Sequence, residues 1–203
     1  MRNTRCWWKY DGPEGKQVPR GQIAFFVDAT KCINCKTCEI ACTESNGSGS
    51  SRRMRKVRTF ERGDFPHVVA YNISMSCNHC ELPACLEHCP TGAYTKRASD
   101  GIVVHDPEKC IGCRYCTWLC PYGAPEFDED ERKVGKCNLC VDEIETGEMP
   151  ACVKSCPMRV IEVGLLEEID GRHGATISVK GLPPPEVTRP ACRYRVRIEA
   201  RDV

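Results

Sequence analysis

The stretch CIGCRYCTWLCP (110–121) spaces four cysteines as C-x2-C-x2-C-x3-C and follows the last with proline. Three thiolates at x2 spacing wrap the backbone around one face of an iron–sulfur cube, and the fourth is turned away toward a neighbouring cube. CINCKTCEIAC (32–42) has the same spacing. Two looser runs join these, so that sixteen of the eighteen cysteines fall into four groups. In chain order they are Cys32/Cys35/Cys38/Cys42, Cys77/Cys80/Cys85/Cys89, Cys110/Cys113/Cys116/Cys120 and Cys137/Cys140/Cys152/Cys156. The last three end in Cys-Pro, at Pro90, Pro121 and Pro157. These groups match the ligands of four [4Fe–4S] clusters with nothing left over, a wire for single electrons.

Two other chemistries fit less well. Disulfide frameworks suit secreted chains far shorter than these 203 residues. Structural zinc takes two C-x2-C pairs separated by a longer loop. Group four, with eleven residues between Cys140 and Cys152, approaches that pattern, whereas groups one and three do not.

The length allows one domain or two small ones. A hydrophobic share of 41% that includes the cysteines, with 7% aromatics, predicts a thin ordinary core. The clusters then serve as core themselves, and folding is coupled to metal insertion. The formal charge of +1 hides a larger imbalance. Each oxidised cluster with four thiolates carries about −2, so four bring the holoprotein near −7. Basic residues therefore read as counter-charge, and no nucleic-acid partner is expected. RRMRK (52–56), lacking interleaved aromatics, reads as surface or partner docking. The acidic run from Asp128 to Glu131 reads as a solvated loop. No run approaches the roughly 18 apolar residues of a membrane span. MRNTRCWWKYDGPEGK (1–16) lacks the apolar stretch of a signal peptide. Any membrane contact is thus expected through a partner, and any export as a complex already folded with it.

The chain repeats itself. VDATKCINCKTCEIAC (27–42) and HDPEKCIGCRYCTWLC (105–120) share D-x-x-K-C-I-x-C, and CNHCELPACLEHCP (77–90) is echoed by CNLC…PACVKSCP (137–157) with seven extra residues. IAFFVD (23–28) and GIVVHD (101–106) predict short strands entering cluster loops, and runs such as TWLC predict single helical turns. The expected fold class is α+β: two ferredoxin-like modules, each binding two clusters, with an extended C-terminal tail. TESNGSGSSRR (43–53) reads as a linker. The stretch 54–73 reads as strands around a Gly-Asp turn, and EFDEDERKVGK (126–136) as a charged surface loop. LLEEIDGRHG (165–174) predicts one helix, and GLPPPEVTRP (181–190) an extended, semi-rigid piece suited to lie along a partner.

Residues 76–164 resemble the electron-transfer subunit of the dimethyl sulfoxide reductase family of molybdopterin oxidoreductases. The resemblance is carried by SCNHCELPACLEHCPTGAYTKR (76–97), DGIVVHDPEKCIGCRYCTWLCPYGAP (100–125) and PACVKSCPMRVIEVG (150–164). FFVDATKCINCKTCEIAC (25–42) and LPPPEVTRP (182–190) fit as well. The broad family also serves polysulfide, tetrathionate, arsenate, nitrate and formate enzymes, while CIGCRYC…CPYGAP with CPMR is most like the dimethyl sulfoxide branch. The resemblance implies a relay with no catalytic residues of its own. It would join a catalytic subunit, holding a molybdenum or tungsten bis-pterin cofactor, to an integral-membrane anchor that oxidises quinol. Such a protein is membrane-associated through partners, on the cytoplasmic face or exported as a folded complex. A free polyferredoxin carrier would share the wire but have little use for 181–203. Two features depart from the family: Cys42-Thr43 replaces Cys-Pro, relaxing the turn, and Cys6, Trp7 and Trp8 have no counterpart.

Spacing alone permits tandem pairing of the groups (one with two, three with four) or nested pairing (two with three, one with four). Duplication favours the tandem arrangement at first sight. The resemblance favours nesting, and groups two and three lie only twenty residues apart, as in a two-cluster ferredoxin. With each fourth cysteine crossing over, nesting implies the sets Cys32/Cys35/Cys38/Cys156, Cys137/Cys140/Cys152/Cys42, Cys77/Cys80/Cys85/Cys120 and Cys110/Cys113/Cys116/Cys89. It also implies an N-terminal extension (1–22), an outer module (23–76 plus 137–164), an inner module (77–136) and a partner-docking tail (165–203). The group-one cluster would lie nearest the catalytic subunit and the group-three cluster nearest the quinol site.

Among residues beside the ligands, Cys6 and Cys192 read as buried or incidental thiols. His79 reads as a packing or hydrogen-bonding group, since its own group already has four thiolates. Lys31, Lys36, Lys109 and Arg114 read equally as solvated charge or as groups that raise cluster potentials. Tyr115 and Trp118 read as insulation over a cluster.

Overall fold

The computed structural model describes residues 21–47, 52–197 and 200. Cys6, Trp7, Trp8, nearly all of the 1–22 extension and the middle of the 43–53 linker lie outside the described residues. The fold is mixed α/β with short elements. In order they are β1 (Ile23–Asp28), α1 (Thr37–Ser45), β2 (Lys56–Arg62), β3 (Val69–Met75), α2 (Ala84–Glu87), β4 (Tyr94–Lys96), β5 (Val103–His105) and α3 (Tyr115–Leu119). There follow β6 (Glu126–Asp128), β7 (Lys133–Gly135), α4 (Val141–Glu145), α5 (Ala151–Ser155), β8 (Ile161–Leu165), α6 (Leu166–Asp170) and β9 (Arg193–Arg195).

β1 is an unbroken run of apolar and aromatic residues up to its closing Asp28, buried along its whole length. Such a run suits a strand covered on both faces. It pairs antiparallel with β8, setting Phe25 opposite Val163, and parallel with β9, setting Val27 opposite Tyr194. The β2–β3 hairpin turns where the sequence predicts, at Gly63. That residue has φ +85°, and a Cβ there would fall 2.3 Å from the His67 carbonyl oxygen. β4 pairs with β5, and β6 with β7.

Two segments differ from their sequence reading. The charged stretch 126–136 is a hairpin, β6–β7, rather than an open loop. Asp128 is only 3% exposed; it accepts the N–H groups of Asp130 and Glu131 and pairs with Arg52 at 3.0 Å. An acidic side chain satisfied from three directions is a turn former, not a solvated charge. The C-terminal segment lies on its own chain. The Arg189 and Thr188 carbonyls accept the Glu81 and Leu82 N–H groups at 2.8 and 3.1 Å, Ala191 donates to the Asn78 carbonyl at 3.0 Å, and Tyr194 is buried beside β1. Pairing of backbone groups, which composition does not report, holds this strap down.

One apolar cluster runs from Ile23, Phe25 and Val27 through Ile73 and Ile102 to Val153 and Ile161, with Cys38, Cys77, Cys137, Cys152 and Cys156 built into it. A smaller one gathers Cys85, Tyr94, Val103, Cys116 and Val134. The cysteines are therefore interleaved with an aliphatic core more substantial than composition alone suggests, each large side chain contributing about 1.5–3 kcal/mol of burial.

Candidate metal centres

The repeated sequence motifs fold into repeated backbone. In groups one and three, Asn34 (φ 57°) and Lys36 (59°) occupy the left-handed region, as do Gly112 (69°) and Arg114 (62°) at the matching positions. In groups two and four the matching residues are His79 (45°) and Leu139 (62°). Side chains in this region cost about 1–2 kcal/mol each, so the conformation persists because it is over-determined. It turns successive cysteines toward one concavity and gathers N–H groups into a nest for anions. The D-x-x-K prefix has a local role too. Asp28 accepts the Thr30 N–H and Asp106 the Glu108 N–H, with Lys31 and Lys109 as their ion-pair partners. Gly112 is required where its counterpart is Asn34, because a Cβ would fall 2.1 Å from the Arg132 carbonyl oxygen of the β6–β7 turn.

Tertiary structure brings the cysteines into mixed sets. Cys77, Cys80 and Cys85 line one pocket with Cys120. Cys32, Cys35 and Cys38 line another with Cys156, and Cys110, Cys113 and Cys116 a third with Cys89. Cys42 has as its charge neighbours Cys137, Cys152 and Cys140. The helices agree: α1, carrying Cys38 and Cys42, packs on α5, carrying Cys152, while α2 with Cys85 packs on α3 with Cys116.

Sulfur is met by donors. After each Cys-Pro pair the residue four positions on from the cysteine donates its N–H to the thiol sulfur: Ala93 to Cys89 (3.3 Å), Ala124 to Cys120 (3.5 Å) and Val160 to Cys156 (3.4 Å). Cys42 lacks the proline, and α1 runs on through it instead of relaxing. Asn46, again four residues on, then places its side-chain amide 3.7 Å from Cys42 Sγ and 2.7 Å from the Cys42 carbonyl oxygen. Further donors have no oxygen or nitrogen partner. Asn78 Nδ2, Tyr122 Oη and Thr188 Oγ1 belong to residues lining the Cys77/Cys80/Cys85/Cys120 pocket, and Tyr94 Oη to one lining the Cys89/Cys110/Cys113/Cys116 pocket. Thr188 stands against Cys80 and Tyr94 against Cys116. An unsatisfied buried hydroxyl costs about 1–3 kcal/mol, and cluster sulfur is an acceptor that would relieve it.

A single metal ion fits these pockets poorly. Four thiolates on one zinc at about 2.3 Å would stand roughly 3.8 Å apart. Among the described residues no three His, Cys, Asp or Glu side chains are grouped to hold one ion. A four-thiolate wall around a pocket, with N–H and O–H groups aimed at sulfur, fits an iron–sulfur cube. Burial pushes Cys80, Cys85 and Cys140 up to about 12 and Cys152 to about 11. As free thiols they hold their protons at neutral pH, and binding iron must expel them.

Of the two sequence readings for the basic residues beside the ligands, the structure fits surface charge for three. Lys31, Lys109 and Arg114 pair at the surface with Asp28, Asp106 and Glu129. The buried cations are others: Arg55, Lys136 and half-buried Lys96. Lys136 Nζ donates to the Val103 carbonyl and, at 2.8 Å, to that of Cys137. Lys96 Nζ donates to the Cys80 and Gly101 carbonyls at 2.9 Å. The run RRMRK conceals Arg55, because a cluster of basic residues reads as surface. Its neighbours Arg52 and Lys56 are spent on Asp128 and Glu126. His79 is buried and neutral, desolvation holding its pKa well below 6.5, and its Nδ1 accepts the Val103 N–H at 3.1 Å. Cys192 is buried beside the Cys77 carbonyl. Tyr115 lines the Cys89/Cys110/Cys113/Cys116 pocket, and Trp118, 75% exposed, lies beside it. Among the described residues no helix is long and apolar enough to cross a membrane.

Residues 68–166 match the 4Fe-4S dicluster domain family. The sequence is 42% identical over 177 residues to an anaerobic dimethyl sulfoxide reductase chain of Escherichia coli (strain K12), covering 83% of this chain and 86% of that one. It is 36% identical over 204 residues to a sulfite dehydrogenase subunit of Allochromatium vinosum, covering 89% and 85%. It is also 33% identical over 169 residues to the nitrate-inducible formate dehydrogenase iron-sulfur subunit of Escherichia coli (strain K12), covering 74% of this chain and 56% of that one.

Proposed function

The protein belongs to the family of iron–sulfur electron-transfer subunits of dimethyl sulfoxide reductase-type molybdopterin oxidoreductases, and on that premise we propose that it carries four [4Fe–4S] clusters between two partners. One is a bis-pterin catalytic subunit that reduces an S- or N-oxide, the other a quinol-oxidising membrane anchor. Each cluster supplies one reversible one-electron couple. The protein supplies the spacing, the donors around sulfur and two ends open to partners.

The observation that supports this reading is that twelve of the grouped cysteines line three pockets four at a time, while Cys42 has Cys137, Cys140 and Cys152 as its charge neighbours. The nested ligand sets and the two ferredoxin-like modules are part of the proposal. Two of the cysteines, Cys35 and Cys113, are exposed, and they mark opposite ends of the nested order. Each end bears bare apolar side chains: Ile33 and Ile40 (59% and 64% exposed) beside Cys35, Ile111 and Trp118 (68% and 75%) beside Cys113. Exposed apolar groups next to a redox centre suit docking partners. The 181–203 strap no longer separates a fixed subunit from a free carrier, because its described part is bound to its own chain.

Purified without oxygen, the protein should be brown and contain about sixteen iron and sixteen sulfide. Stoichiometric zinc without sulfide would contradict the reading. The pairing is tested by Cys42→Ser, which should disturb the centre held by Cys137, Cys140 and Cys152 and spare that of Cys32, Cys35 and Cys38. A disturbance at the centre of group two would instead establish tandem pairing. The likeness to proteins named as sulfite and formate dehydrogenase subunits supports a second reading, the same relay with a different catalytic partner. The identity and pterin metal of the co-purifying large subunit separate the two.

A further inference from the structure

We propose that Arg55 is the shared counter-cation of the Cys32/Cys35/Cys38/Cys156 and Cys42/Cys137/Cys140/Cys152 clusters, making both easier to reduce. The inference rests on the ligand sets proposed above. Arg55 stands immediately before β2 and is 1% exposed. Its Nη1 donates to Ser74 Oγ at 3.1 Å and to the Ser74 carbonyl at 3.4 Å, and Nη2 donates to Ser76 Oγ at 2.9 Å. The guanidinium lies 4.4 Å from the centroid of the Phe25 ring. Among the described residues no carboxylate lies within ion-pair distance of it, and Nε has no hydrogen-bond partner.

That arrangement is costly as it stands. A guanidinium cannot shed its proton inside a protein, and a buried charge persists only where an opposite charge offsets it. The opposite charge is in the sulfur. Ser74 Oγ, which accepts from Arg55, lies 3.3 Å from Cys38 Sγ. The cysteines coupled most strongly to the guanidinium are Cys152, Cys137, Cys38 and Cys42, three from one set and one from the other. Each becomes anionic as an iron ligand. Adding an electron makes either cluster one unit more negative, and a fixed cation between them favours that form in both. Salt cannot screen it at such depth. Lys96 donates to the Cys80 carbonyl, and Lys136, which lines the Cys77/Cys80/Cys85/Cys120 pocket, donates to the carbonyls of Val103 and Cys137.

The test uses the assembled complex. Arg55→Gln removes the charge and leaves an amide donor near Ser74 and Ser76, and iron and sulfide are assayed in the same preparations. In redox titrations followed by electron paramagnetic resonance, both clusters should become harder to reduce. At a fixed potential the reduced-to-oxidised ratio of each should fall about tenfold or more, with the other two clusters moving far less. Arg55→Lys restores the charge and should restore the ratios. Full iron and sulfide with unchanged ratios in Arg55→Gln would overturn the counter-cation role while leaving the ligand sets intact. A change shared by one of these clusters and one of the other two would overturn the sets themselves. Should Arg55→Gln fail to load its clusters, Arg55→Lys decides. Full loading with parental ratios supports the charge, and failure of the lysine variant assigns Arg55 to hydrogen-bonded packing and overturns the proposal.

Discussion

Quinol-driven turnover of the assembled complex should collapse, by roughly tenfold or more, when Cys113 is replaced by serine. Turnover driven by a small artificial dye that feeds the catalytic subunit directly should persist. Cys113 is an exposed member of the Cys89/Cys110/Cys113/Cys116 set. Its loop is pinned by the fit of Gly112 against Arg132, and Ile111 and Trp118 stand exposed nearby. Serine keeps the shape of the loop and weakens the bond to iron. If the centres stand in series as proposed, with this one at the quinol end, altering it stops traffic without touching chemistry at the other end. A fully assembled variant that lost both activities equally would show that this set is not at the quinol end. One that kept both would show that it is not on the path.

Extracting the clusters with a chelator, oxygen excluded, should abolish the cooperative fold. Arg55 and Lys136 are buried without a carboxylate partner among the described residues. Removing the partner of a buried charge costs about 3–5 kcal/mol. Two such losses rival the roughly 5–15 kcal/mol that stabilises an ordinary domain. Thr188, which stands against Cys80, and the otherwise unpartnered Tyr122 and Asn78 donors lining the same pocket would be left without a cluster to face in the same step. Circular dichroism and amide exchange should show a thermal transition that disappears with the iron and returns on reconstitution. A metal-free protein melting cooperatively near the holoprotein's temperature would show that the aliphatic core around β1 suffices alone, contrary to the coupling of folding and metal insertion that the composition suggests.

Much of this protein was legible along the sequence because the chemistry of an iron–sulfur cube is locally written. In groups one and three, three cysteines fall within seven residues, so spacing alone identifies the cofactor class and the turn around it. The apolar run Ile23–Asp28 announced the central strand, and the repeat of D-x-x-K-C-I-x-C announced two copies of one loop geometry. What acts at long range was not legible. Spacing left two pairings of the groups open, and the packing of α1 on α5 and α2 on α3 favours one of them. The basic run 52–56 looked like surface because sequence records charge and not depth. Only the hairpin that follows it carries Arg55 inward while its neighbours Arg52 and Lys56 meet the acids of the β6–β7 hairpin. The C-terminal strap looked like a partner-docking tail because its binding to its own chain is through backbone N–H and C=O groups, which every residue but proline offers alike and no composition reveals. Sequence determined which atoms can hold iron. Tertiary structure decided which of them meet, and where the positive charge that faces them is buried, because both depend on contacts between residues scores of positions apart.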